Sequence, residues 1–197
     1  MELVGKGAEA NLFRDGGRLV KERVCKKYRI PEVDASLRGR RTAREGQLLQ
    51  LAREVGVLTP KVFEVDRKGC RIVMEFVSGT LVRDYFDSAG EAEVEDVAGM
   101  VGSGLRRLHD AGIVHNDLTT SNLIFRDGSV YFIDFGLAFR SRRLEDRAMD
   151  LVVFKKSILA THTSRLDLIW GGVVSGYGVG KELLARVNQI EKRVRYA

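Results

Sequence analysis

The chain has 197 residues, 22.0 kDa, 44% hydrophobic residues and a formal net charge of +6, enough to bury a full core as one domain or two small lobes. No apolar run is long enough to cross a bilayer, and Met1-Glu2-Leu3-Val4-Gly5-Lys6 lacks the basic-then-apolar layout of a signal peptide, so a cytoplasmic location is expected and membrane and secreted classes are set aside. Cys25 and Cys70 lack C-x-x-C spacing, which fits incidental thiols in a reducing compartment.

In chain order, short apolar runs separated by glycine-containing turns come first: Leu3-Val4, Asn11-Leu12-Phe13, Leu19-Val20 and Val24-Cys25, with Asp15-Gly16-Gly17 between. They predict an antiparallel meander. Leu37, Arg41, Glu45, Leu48, Leu49 and Ala52 then recur at helical spacing, predicting a long helix with Asp34 as its cap. Gly46 interrupts it where alanine would serve better, at a propensity cost of about 1 kcal/mol. Strands fit Val62–Val65 and Arg71–Val77, and a turn at Ser78-Gly79 opens a mostly helical half with helices near 80–87, 92–112, 144–160, 164–175 and 181–195. The fold class expected is α+β, in two lobes (1–77 and 78–197) of a single catalytic unit, hinged near Val77-Ser78.

Positive charge is concentrated between Arg18 and Arg44, where ten Lys or Arg face only Glu22, Glu32 and Asp34. Such a stretch suits nucleic-acid phosphates or an acidic partner. A solvated helix face reads the same, and aromatics are not interleaved. Lys192, Arg193 and Arg195 form a smaller basic cluster suited to a helix C-terminus.

The chemistry is carried by Val114-His115-Asn116-Asp117-Leu118-Thr119-Thr120-Ser121-Asn122 and by Ile133-Asp134-Phe135-Gly136. Asp117 is followed five positions later by Asn122, and Asp134 comes twelve after that, with a strand pair expected between. Protein kinases use this arrangement for phosphoryl transfer, so ATP and Mg²⁺ are the expected cofactors. Asp134, ending the apolar strand Val130-Tyr131-Phe132-Ile133, and the amide of Asn122 are candidate oxygen ligands for the metal. Asp117 would orient the acceptor hydroxyl or water and take its proton. Each residue alone could be an ordinary turn or cap; the combination is hard to obtain by chance.

In the first half, Lys21 on the third strand is the candidate for the α and β phosphates, with Glu45 as its ion-pair partner. Lys26 and Lys27 compete for the lysine role; Glu22 faces away if the strand alternates. Gly5 and Gly7, in Gly5-Lys6-Gly7-Ala8-Glu9-Ala10, would let backbone amides approach phosphate. Glu75 and Val77 would offer backbone groups to adenine, with Met74 behind them. His115 reads as structural, His109 and His162 lack metal-ligand spacing, and Trp170 reads as core. Asp150 fits a brace for the catalytic loop and a solvent-facing carboxylate equally well.

With these segments the chain resembles, over essentially its full length, the small atypical kinase-ATPase subunit of the KEOPS (EKC) complex, the PRPK-like family. The resemblance is carried by Val4–Ala10, Lys21-Glu22-Arg23, Lys27-Tyr28-Arg29-Ile30-Pro31-Glu32-Val33-Asp34 and Arg41-Thr42-Ala43-Arg44-Glu45. It continues through His115–Asn122, Asp134-Phe135-Gly136-Leu137-Ala138 and Glu145–Leu151. It implies ATP hydrolysis beside the KEOPS catalytic subunit and its neighbours, in making N6-threonylcarbamoyladenosine (t6A) in tRNA, with the stretch 18–44 a candidate tRNA contact. Sixty-one residues follow Gly136, too few for an activation segment and peptide-binding helices, and Asn116 stands where many kinases carry an arginine that clamps a phosphorylated loop. Two other functions stay open: a free-standing Ser/Thr kinase resembling the RIO kinases, and a noncatalytic scaffold.

Overall fold

The computed structural model describes residues 1–195. Its first half is a five-stranded antiparallel sheet built from β1 (Glu2–Lys6), β2 (Ala10–Asp15), β3 (Arg18–Arg23), β4 (Val62–Asp66) and β5 (Arg71–Glu75), in the order β1-β2-β3-β5-β4. Val24-Cys25, expected in the meander, lie beyond the end of β3, and β5 stops two residues short of Val77. The register sets Lys21 opposite Leu12 on one side and Ile72 on the other. Lys21 and Arg23 are both buried while Glu22 between them is exposed, the two-residue alternation of a sheet with one covered face.

That face is covered by α1 (Pro31–Glu54). The helix starts three residues before the expected cap, because Pro31 is preset for the first helical position and lacks the N–H that would be orphaned there. Asp34 lies inside the first turn, fully buried, and accepts from Arg38 Nε at 2.6 Å and Arg29 Nη1 at 3.4 Å. It ties the connection after β3 to the helix. Gly46 also has a reason the sequence does not reveal: a Cβ there would lie 2.6 Å from Val65 Cγ2, so the glycine lets α1 lie against β4.

The second half begins with β6 (Thr80–Leu81), α2 (Val82–Ser88) and α3 (Glu91–Asp110), whose first turn is closed by the Gly90 amide donating to Glu93 Oε2 at 2.9 Å. The short strand β7 (Ile113–Val114) leads into the Asp117 loop, followed by the hairpin β8 (Leu123–Arg126) and β9 (Ser129–Phe132). β9 ends at Phe132, and one further hydrogen bond, Ile133 N–H to Asn122 O at 3.0 Å, carries the chain to Asp134. After a single 3-10 turn, β10 (Phe139–Arg140) pairs with β7, and α4 (Leu144–Thr161), α5 (Leu166–Tyr177) and α6 (Lys181–Arg195) complete the bundle.

α3 forms the spine of this half. Its buried side, Val94, Val97, Ala98, Val101, Leu105 and Leu108, recurs at helical spacing. Glycines let α5 approach it closely: a Cβ on Gly102 would sit 2.2 Å from Val173 O, and one on Gly176 2.0 Å from Gly99 O. Trp170 is only half-buried at the edge of this core, with Lys155 Nζ 5.1 Å above its ring, so it caps the core rather than filling it. No helix of the described residues is long and apolar enough to cross a membrane. Of the C-terminal basic cluster, Lys192 and Arg193 are exposed, while the Arg195 side chain, Tyr196 and Ala197 lie outside the described residues.

Candidate active site

Glu45, 1% exposed, projects from the middle of α1 toward β3. A carboxylate that deep needs partners, and it has two cations. Lys21 Nζ reaches Glu45 Oε1 at 2.6 Å, and Arg23 Nη2 donates to Oε2. Lys21 also reaches Asp134 Oδ1 at 2.6 Å, bridging the sheet, the helix and the Asp-Phe-Gly turn. Burial disfavours the Lys21 ammonium, yet Glu45 and Asp134 together hold its pKa above the ordinary lysine value. Burial would likewise raise Asp134, but the Lys21 charge and hydrogen bond and the Gly136 amide hold it below the usual carboxylate range. Lys26 is engaged elsewhere, on the Ala8 carbonyl, and Lys27 is exposed.

Asp134 takes a left-handed backbone conformation, φ 59°, which turns its carboxylate back so that Oδ1 accepts from Gly136 N–H at 3.1 Å. With Oδ1 occupied by Lys21 and Gly136, Oδ2 remains for another ligand. Asn122 donates its amide N–H to Asp117 O at 2.8 Å and to Asp117 Oδ2 at 3.1 Å, which fixes the Asp117 carboxylate and leaves the Asn122 carbonyl oxygen available. One carboxylate oxygen and one amide oxygen fit a hard cation shared with phosphate oxygens. Among the described residues no cluster of three or more His, Cys, Asp or Glu could hold a metal by itself, so ligands from outside the protein, phosphate oxygens or water, would complete the set.

The catalytic loop is held from below. Asp150 of α4 is completely buried and accepts from His115 N–H at 2.7 Å and Asn116 N–H at 2.6 Å, with His109 Nε2 at 3.0 Å from the same carboxylate. Of the two readings the sequence leaves open for Asp150, the brace is the one observed. Asn116, with φ 64°, is kept in the left-handed region by those bonds. His115 packs against Phe135, with ring centroids 4.8 Å apart and planes inclined by 59°, and bonds Ile133 O through Nε2 at 3.1 Å, a structural position between the two motifs.

A cleft of about 460 Å³ opens above these groups. It brings together Gly5, Gly7, Lys21, Asp117 and Asp134, and adds Lys6, Glu9, Arg23 and Arg41, which the sequence motifs do not single out. For Arg23 a signal exists: it is two residues from Lys21 on the same strand face. Glu45 lies behind Lys21. Glu75 and Val77 do not line the cleft; Val77 is buried, and the Glu75 carboxylate pairs with Arg126 Nη1 at 3.2 Å. A slightly larger opening, about 490 Å³, between Gly56, Met100, Arg107 and Ser129 has no carboxylate in its lining and lies apart from both motifs.

The basic stretch is partly neutralised, by four carboxylates, Glu9, Asp34, Glu45 and Asp134. Six of its ten cations, Lys21, Arg23, Lys26, Arg29, Arg38 and Arg41, are in ion pairs, leaving Arg18, Lys27, Arg40 and Arg44 without one among the described residues.

Comparison with known proteins agrees with this geometry. The protein kinase domain family matches residues 1–161. A protein from Pyrococcus abyssi named KEOPS complex subunit Bud32 is 40% identical over 212 residues, covering 100% of this chain and 96% of that protein. The chain belongs to the Bud32 family of the protein kinase fold. A "probable bifunctional tRNA threonylcarbamoyladenosine biosynthesis protein" from Methanothermobacter thermautotrophicus is 43% identical over 201 residues, and there this chain spans only 36% of the relative's length. Among solved structures, an ADP-bound aminoglycoside phosphotransferase aligns over 95% of this chain and 80% of its own with a TM-score of 0.69 at 14% identity. A Rio2 kinase complex from Chaetomium thermophilum aligns over 98% and 70% with a TM-score of 0.66 at 14% identity. At such identities these two likenesses speak for the fold alone, and the kinase-like α+β class expected from the sequence is the one found.

Proposed function

We propose that this Bud32 relative is an ATP-dependent phosphotransferase and ATPase, an atypical Ser/Thr kinase by class, that works with the catalytic and neighbouring subunits of a KEOPS complex to support t6A formation in tRNA. The observation that carries the reading is the Lys21 ammonium held 2.6 Å from both Glu45 and Asp134, in the cleft lined by Asp117. In this reading residues 1–77 and 78–197 are two lobes that hold ATP between them. Gly5 and Gly7 let the loop backbone approach the phosphates, although the Gly7 amide itself donates to Ala10 O at 2.9 Å, and adenine would extend beyond the lined cleft to the backbone of Glu75 and Val77. Lys21, positioned by Glu45, exchanges its hold on Asp134 for the α and β phosphates.

Asn122 and Asp134 would hold Mg²⁺, which when bound neutralises charge developing on the transferred phosphoryl group. Asp117, oriented by the Asn122 amide, lines up the acceptor oxygen and accepts its proton. The carboxylate is within reach of water, which suits ATP hydrolysis. α4 begins only a few residues after the Asp-Phe-Gly turn, which leaves little platform for a peptide acceptor. The cations left unpaired between Arg18 and Arg44 are where a tRNA contact would fall.

The test is phosphate release from MgATP by the chain alone and with a KEOPS catalytic subunit, beside Asp117→Ala and Asp134→Ala. Partner-stimulated release that both substitutions abolish supports the proposal. Phosphate passing mainly to added protein, with no partner effect, would favour a free-standing kinase, and undiminished release by both variants would exclude this cleft.

A further inference from the structure

Arg41 lies one helical turn before Glu45 on α1, so the two side chains share a face. Glu45 is buried beneath the cleft, whereas the Arg41 side chain is 40% exposed and lines it. The neighbouring cations are tightly held: Lys21 between two carboxylates, Arg23 on Glu45, and Lys26 on the Ala8 carbonyl with Glu9 Oε1 3.8 Å away, so Glu9 is shared between Lys26 and Arg41. Arg41 makes a single hydrogen bond among the described residues, Nη1 to Glu9 Oε2 at 3.1 Å. A guanidinium has five donors, so most of this one has no protein partner among the described residues. Glu9 is itself 54% exposed and sits at the returning end of the glycine-containing loop. An exposed pair of this kind is weak, and a phosphate, gripped by two parallel N–H donors, is a stronger partner than one half-solvated carboxylate oxygen.

We propose that Arg41 is a substrate-binding residue that takes the terminal phosphate of a nucleoside triphosphate, and that Glu9 holds it over the cleft until that phosphate arrives. The inference rests on the nucleotide-cleft reading above and adds a residue and a selectivity to it. Lys21 is assigned there to the inner phosphates, so the terminal one otherwise lacks a forked donor. Arg41 reaches the loop that would cover that phosphate, in the same cleft as Asp117 and Asp134. The exchange of Glu9 for phosphate makes the site prefer a triphosphate to a diphosphate.

Binding of MgADP and of a non-hydrolysable MgATP analogue to the full chain, measured by calorimetry for wild type, Arg41→Gln and Glu9→Gln, tests this. Arg41→Gln should weaken the triphosphate analogue roughly tenfold or more while leaving MgADP within about twofold, and should slow turnover. Glu9→Gln should have the opposite sign, tightening the triphosphate analogue, since it removes a competing carboxylate. If Arg41 served only to tether the loop through Glu9, both variants would weaken both nucleotides alike, and that result overturns the proposal. Wild-type affinity for both nucleotides with no effect of Arg41→Gln overturns the Arg41 assignment alone. Failure of wild type to bind either nucleotide overturns the cleft reading along with it.

Discussion

Two carboxylates, both essentially sealed from solvent, lie behind the residues that line this protein's cleft, and they are satisfied in different ways. Glu45, on the sheet side, is neutralised by side-chain charges, those of Lys21 and Arg23. Asp150, on the helical side, is held by two fixed backbone amides and a histidine. Charge partners can be exchanged when a polyanion enters; backbone donors cannot. In the proposed reading the Glu45 side rearranges with ligand, while the Asp150 side keeps the Asp117 loop in one place.

The largest effect expected from breaking this contrast is Asp150→Ala, which strands two buried N–H groups and His109. It should lower unfolding stability by about 3–5 kcal/mol in urea titration, with nucleotide present or absent. Glu45→Gln should cost less stability, because Lys21 keeps Asp134, while MgATP affinity falls. If the two variants lose stability equally and lose nucleotide affinity equally, the division between a rigid and an exchangeable carboxylate does not hold.

Next comes Gly46→Ala. Helix propensity alone favours the alanine by about 1 kcal/mol, but the methyl would meet Val65, and a net destabilisation of about 1–3 kcal/mol is expected from chemical unfolding.

The Lys21–Asp134 contact supplies a pH signature. Asp134 is depressed in the folded state, so its contribution to stability is present above the ordinary carboxylate pKa and fades as pH falls through its own lower value. Lys21 is raised, so its contribution is complete below the ordinary lysine pKa and is lost only as pH rises through the higher folded value. Stability measured against pH should therefore fall on the acid side below about pH 4, and Asp134→Asn should flatten that limb while moving the alkaline loss of the Lys21 contribution to lower pH, because it removes one of the two carboxylates that hold the buried ammonium charged. The smallest expected change is Tyr177→Phe, which removes the hydroxyl 2.9 Å from His109 Nδ1 and should cost about 1 kcal/mol of stability, felt on the Asp150 side alone.

What the sequence reveals follows the same division. The order of strands and helices is legible from apolar spacing, and the two acidic motifs from their short-range pattern, because each signal lies within one segment. Helix starts are less so: Asp34 has the chemistry of a cap, but Pro31 begins α1 and Asp34 serves the β3–α1 connection instead. Gly46 looks like a weakness in isolation and becomes a packing requirement only beside Val65, nineteen residues away on another element. Arg41 and Glu9 are unremarkable in the chain and meet only because the first loop folds over α1. The apparent basic patch is reduced for the same reason, since Glu9, Glu45 and Asp134 lie outside the stretch that looks unbalanced.

The central claim, that one cleft binds MgATP on its exchangeable side and acts on it from its fixed side, is tested most directly by a paired measurement on Asp117→Ala: nucleotide affinity and phosphate release at saturating MgATP. The expected result is affinity within about twofold of wild type with release reduced at least a hundredfold. Release near the wild-type rate would contradict it.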